Sequence, residues 1–263
     1  MNKLLTTTAL AAAVAFLAGC SGPVSTPASD PPGAVVVTPK APAAPSPEDL
    51  ASYFGAIANG SPSEQRTAAD ELAAPGSNAY AYAIEQAAVN QAFLDSGMGS
   101  SPPSELNTLD DGFEMCSTDL LTQEETCNVF DNLAFVDGQL ADFDAGGTPL
   151  AGRLTLGDGS SVPLGDFANA TLIAAYTSIA GNLYVVFEIK SNIDGFSAAY
   201  DSTYLAPDGR QANVTQTIGP SKLAAGALAN YALVFEGAAF GGTLNLGGFN
   251  ANFDRVSASI PIA

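Results

Sequence analysis

The chain has 263 residues with 27 acidic and 8 basic side chains, a net charge of −19, which excludes the basic surface that nucleic-acid recognition needs. It contains no histidine, so Ser-His-Asp and Cys-His nucleophile systems and the usual His-bearing zinc sites are excluded as well. Tryptophan is also absent, which leaves stacking of sugars or cations to tyrosine and phenylalanine.

The chain opens with Lys3 and then an uncharged, Leu/Ala/Thr/Val-rich run from Leu4 to Phe16. This has the form of a secretory signal and is too short for a bilayer span, which takes about 20 apolar residues. Its ending, Leu17-Ala18-Gly19-Cys20, resembles the lipobox of bacterial lipoproteins. The resemblance implies removal of residues 1–19 and a thioether-linked diacylglycerol on Cys20. It further implies an exported chain tied to a membrane of the cell envelope, with the leaflet left open. Each buried methylene contributes about 0.8 kcal/mol, so two or three acyl chains hold a folded body essentially permanently. Residues 20–46 continue as a Pro/Ala/Ser tether that cannot bury enough apolar surface to order itself. Its reach lies between roughly 30 Å as a coil and about 80 Å as polyproline II.

Charge then divides the body. Residues 47–147 hold 18 acidic side chains against Arg66 alone, whereas residues 148–263 hold 8 against 5 basic ones. Secondary-structure signals change at the same place, which predicts an acidic α+β domain over 47–147 and an all-β domain over 148–263. Ser46-Pro47-Glu48-Asp49 predicts a helix start, followed by the stripe Leu50, Tyr53, Phe54 and Ile57 up to Asn59-Gly60. Ser61-Pro62-Ser63-Glu64 is a capping box opening a second helix that lasts until Pro75-Gly76. A third, from about Asn78 to Ser96, places Tyr80, Ile84, Ala87, Ala88 and Gln91 on one side.

After Pro102-Pro103 the period falls to two. Phe113 and Met115 alternate with polar neighbours, as do Cys127, Val129, Leu133 and Phe135, and Asp137-Gly138 turns the chain into Leu140–Phe143. With Cys20 given to lipid, Cys116 and Cys127 form an even pair in an exported chain and predict one disulfide. Helices followed by a small antiparallel sheet ending in FVDGQLADFDAGG resemble, in element order, the nuclear-transport-factor-2-like domains. The resemblance implies a pocket under the helices lined by Tyr53, Phe54, Tyr80 and Ile84; the alternative is that these four are core.

The second half is punctuated by Asp158-Gly159, Asp194-Gly195 and Asp208-Gly209 between short apolar runs, the spacing of a β-sandwich. YVVFEIKSN, YLAPDGR and LAAGALANYALVFEG resemble the strands of immunoglobulin-like domains found behind bacterial lipoboxes. Such a domain implies a scaffold or binding surface and carries no family-wide catalytic residues.

No enzyme, cofactor or resident metal is expected. Gly195-Phe196-Ser197-Ala198-Ala199 imitates a nucleophile elbow without a histidine, no S-x-x-K precedes any lysine, and P-loop and Rossmann fingerprints are absent. The acidic clusters at Asp110-Asp111, Glu124-Glu125 and Asp142-Asp144 lack a D-x-D-x-D-G calcium loop. Three functions remain: an envelope lipoprotein presenting a surface to a protein or cell-wall partner, which is preferred; a small-ligand carrier or sensor with a pocket in the helical half; and a calcium-dependent interaction module.

Overall fold

The computed structural model describes residues 45–99, 103–118 and 125–263; the lipobox and the tether up to residue 44 lie outside them. Three helices come first, α1 (Pro47–Asn59), α2 (Pro62–Leu72) and α3 (Asn78–Asp95). Their starts follow local chemistry. Ser46 and Ser61 each accept from the backbone N–H three residues on, while Asp49 and Glu64 reach back to accept from the cap N–H, so both ends carry a complete capping box with Pro in the first turn. Ser77 caps α3 through the N–H of Tyr80. Among the described residues, no helix is long and apolar enough to cross a membrane.

A five-stranded antiparallel meander follows: β1 (Glu105–Thr108), β2 (Phe113–Thr118), β3 (Glu125–Val136), β4 (Gln139–Ala145) and β5 (Thr148–Pro149). Cys116 and Cys127 face each other across β2 and β3 and form the expected disulfide. The inward side of β3 differs from the expected alternation. Phe130 is buried, Cys127 is exposed, and Phe135 is largely exposed. The β3–β4 register slips twice: between Asp131–Asp144 and Ala134–Asp142 the residues Asn132 and Leu133 lie opposite Phe143 alone, and a compensating slip before Phe135–Leu140 restores it. Asn132 adopts φ +52° at the first slip, and the regular alternation is broken across this stretch.

Two further antiparallel sheets are built from β6 (Leu154–Leu156), β7 (Ser161–Leu164), β8 (Ala168–Thr177), β9 (Leu183–Ser191), β10 (Ser197–Ala198), β11 (Thr203–Leu205), β12 (Gln211–Asn213), β13 (Gln216–Ile218), β14 (Leu228–Phe235), β15 (Thr243–Phe249) and β16 (Arg255–Pro261). One runs β13-β14-β9-β8-β6 with β7 also on β8; the other runs β10-β15-β11-β12 with β16 also on β15. They enclose a common core that includes Val185, Phe187, Ile189, Tyr231, Leu233, Phe235, Tyr204, Leu244 and Ile260. Ser197 of the elbow-like motif sits on the short strand β10 beside β15, with no strand-to-helix turn.

Strand β9 is apolar almost throughout because both of its faces are buried. Leu183, Val185, Phe187 and Ile189 face the core between the sheets. Val186 points the other way, into a cluster with Ala88 and Ala92 of α3, Ile218 and Ala232, joined by Val89 and Phe93. Helix α3 thus lies against the outer face of the β13-β14-β9-β8-β6 sheet while its other side closes the core of the first sheet with Tyr53, Phe54, Phe113, Phe130 and Phe143. Polar ties fix its C-terminal half: Asp95 accepts from the backbone N–H of Asn230 at 2.7 Å, and the Asn230 amide donates to the carbonyl of Ala88.

The disulfide bridges strands that already pair, and replacing both Cys116 and Cys127 with Ser is expected to lower unfolding free energy by about 2–3 kcal/mol. Urea titration followed by circular dichroism measures this, with the folded spectrum unchanged.

Candidate functional site

Aromatic side chains pack the core between the helices and the first sheet. Tyr53 and Phe54 are fully buried; their rings pack edge-on 5.1 Å apart, and Phe54 stacks on Phe113 at 4.6 Å. The Tyr53 hydroxyl donates to the Ala79 carbonyl at 2.6 Å, and burial pushes its pKa up. Tyr80 and Ile84 are partly buried and pack on the same core, with Asp70 beside Tyr80.

An open cavity of about 520 Å³ lies on another side of α3. Its walls are Tyr82, Glu85, Gln86, Val89 and Phe93 of α3, Thr126, Asn128 and Phe130 of β3, Tyr176 and Tyr184 of β8 and β9, the Ser178–Asn182 turn joining them, and Gln216 and Ile218 of β13. None of Tyr53, Phe54, Tyr80 and Ile84 is among these lining residues. The buried end holds Tyr82, Glu85, Phe130 and Tyr176, whereas Thr126, Ile179, Ala180 and Gln216 at the mouth are exposed. Backbone geometry sets the mouth. Ser178 N–H donates to the Asn182 carbonyl at 2.8 Å, and Gly146, at φ +61°, sits where a Cβ would meet Ile179 Cγ2 at 2.7 Å. A side chain at that position would force the Ile179 side chain to shift.

Glu85 is the electrostatic centre. It is 1% exposed, its carboxyl accepts from Gln86 Nε2 at 2.7 Å, and burial raises its pKa to about 8. The acid is therefore predominantly neutral near pH 7. Tyr82, Tyr176 and Tyr184 surround it. Burial raises all three phenols, Tyr176 to about 12, and the negative charge that Glu85 acquires on ionising raises them further. Tyr82 and Tyr176 meet edge to face at 5.4 Å. Arg153 places its guanidinium 5.6 Å from the Tyr176 ring centre and donates to the carbonyls of Ala145, Thr148 and Pro149; it does not line the cavity.

Among the described residues, one group of three potential metal ligands comes together, Glu114, Cys116 and Cys127, and two of these are tied in the disulfide. The described acids of the Asp110-Asp111 and Asp142-Asp144 clusters, and Glu125, form no such group. No family model matches the chain, and neither the curated proteins nor the solved structures contain a match.

The cavity-lining residues of α3 recur at three- and four-residue steps, Tyr82, Glu85 or Gln86, Val89 and Phe93. The signal for them was Glu85, the single charge between Glu71 and Asp95.

Folded Glu85 holds its proton up to about pH 8 while the unfolded side chain releases it near 4.5. Its contribution is thus fully present below about 4.5, falls as pH rises, and levels off above about 8. Glu85→Gln is expected to stabilise the protein by on the order of 3 kcal/mol at pH 7 and by little at pH 4, read from urea midpoints at the two values.

Proposed function

We propose that this is a non-catalytic envelope lipoprotein that binds a small ligand in the cavity beside α3. The observation that carries the reading is an open cavity of about 520 Å³, lined by five aromatic side chains and one deeply buried carboxyl at its inner end. Binding sites for small molecules have this size, and here aromatic and aliphatic walls alternate with hydroxyl and amide side chains that can orient a ligand. The absence of histidine and the single carboxyl in the lining favour binding over catalysis. Lipidation at Cys20 would keep the site outside the cytoplasm on its tether, and the two facing sheets, taken as an immunoglobulin-like sandwich, would serve as the rigid wall behind it.

A second reading, display of a surface to a protein or cell-wall partner, is favoured by one exposed cluster. Phe253, 76% exposed at φ +65°, stacks on Phe249 at 5.5 Å, and Phe249 meets Tyr200 edge-on at 4.8 Å. Arg255 lies over Tyr200 and pairs with Asp201 at 2.7 Å. A bulky residue in the left-handed region at a solvent-exposed hairpin tip is costly for folding and marks a position kept for contact.

Three measurements test these readings. Mass spectrometry of native protein is expected to find a diacylglyceryl Cys20 at the N-terminus; an unmodified Cys20 behind an intact leader overturns the anchor. Ligand-observed NMR with a metabolite library is expected to find a binder to the full chain that Ala180→Trp, at the cavity mouth, weakens at least tenfold. Binders indifferent to that substitution, or none at all, overturn the ligand-binding reading. For the second reading, Phe253→Asn is expected to keep or raise the melting temperature while abolishing capture of an envelope partner; capture undiminished by the substitution overturns it.

A further inference from the structure

The cavity combines five aromatic side chains, Tyr82, Phe93, Phe130, Tyr176 and Tyr184, with a single carboxyl and no lysine or arginine. An anion entering it would find no counter-charge. A neutral solute would leave Glu85 protonated and gain only burial and stacking against the rings. A cation gains from both, because π faces attract positive charge and a buried carboxylate pairs strongly with it. We propose that the cavity takes an organic ammonium ion, its charge paired with the Glu85 carboxylate and its alkyl groups against the tyrosine rings. This inference rests on the ligand-binding reading above.

The groups facing Glu85 are compatible with that occupant. Gln86 donates to its carboxyl from the same helix, and Tyr82, Tyr176 and Tyr184 supply phenols that stay neutral. From the other packed elements, Asn128 of β3 and Gln216 of β13 add uncharged amides. Arg153, whose charge acts on Tyr82 and Tyr176, directs its donors at the three carbonyls that hold it. Outside the cavity, the acidic excess of residues 47–147 raises the local concentration of cations and lowers that of anions.

Binding is coupled to a proton. Below about pH 8 the free site holds Glu85 as the neutral acid. Entry of the ammonium ion breaks the carboxyl O–H bond, the proton goes to solvent, and the carboxylate keeps the electron pair and faces the ligand. Charge is conserved, with one cation in and one proton out. Affinity therefore rises by up to about tenfold per pH unit below the free-site pKa and flattens above it.

Isothermal titration calorimetry of the full chain provides the test, using choline and spermidine as probes and 3,3-dimethylbutan-1-ol as the uncharged isostere of choline. At least one ammonium probe is expected to bind at least tenfold more tightly than the isostere. That probe should tighten at least tenfold between about pH 6.5 and 8.5 and release close to one proton at the lower value, read from buffers of different ionisation heat. Glu85→Gln should weaken it at least tenfold and leave the isostere unchanged. Isostere binding as tight as the tighter of the two ammonium ions overturns the cation inference while leaving a ligand-binding cavity in place. Failure of both ammonium probes overturns it too, and the library experiment with Ala180→Trp decides the broader reading separately.

Discussion

The burial of α3 between two sheets is the constraint from which the rest of the structure follows. Ala79, Ala81, Ala83, Ala87, Ala88 and Ala92 are all buried, and their small side chains let the helix backbone come close to strands on either side. A methyl group contributes only about 0.8 kcal/mol of burial, so the packing depends on many such contacts and on the absence of bulk. Tyr82 and the first-sheet core lie on one side of the helix, and Val186, Ile218 and Ala232 on the other. The helix has no wide polar face to give to solvent, and a charged residue on it must either reach an end or be buried.

Asp95 takes the first course, at the C-terminal turn against the Asn230 N–H. Glu85 takes the second, in mid-helix among Tyr82, Tyr176 and Tyr184. A buried acid costs stability unless it stays neutral or meets a cation. Beside it lies the open cavity, walled also by β3, the Ser178–Asn182 turn and β13. Cavity and acid thus lie side by side on one face of α3, and the proposed cation site rests on that juxtaposition.

Features written in short stretches of chain were legible in the sequence. Both Ser-Pro helix starts, the end of α1 at Asn59 and the Asp137-Gly138 hairpin depend on residues within four positions of one another. The Cys116–Cys127 bond was legible through residue type and parity. What depends on tertiary packing was not. The stripe through Tyr80 and Ile84 marks the side of α3 toward the first core, while the cavity lies along Tyr82, Glu85, Val89 and Phe93. An alanine-rich helix buried on several sides has no single apolar stripe to show which side meets which partner. The two register slips between Asp131 and Phe135 likewise break the alternation of β3 without any change in composition. Strand β9 looked like an ordinary core strand, and its second buried face became evident only with α3 laid against it.

The most direct test of this account is the titration of Glu85 itself, by carbon-detected NMR of selectively labelled glutamate in the full chain, assigned with Glu85→Gln. A carboxyl in this setting should titrate near pH 8 in the free protein, well above the exposed glutamates. A midpoint at the ordinary value near 4.5 would mean that the side chain is hydrated. The packing of α3 and the cavity built on it would then both be contradicted.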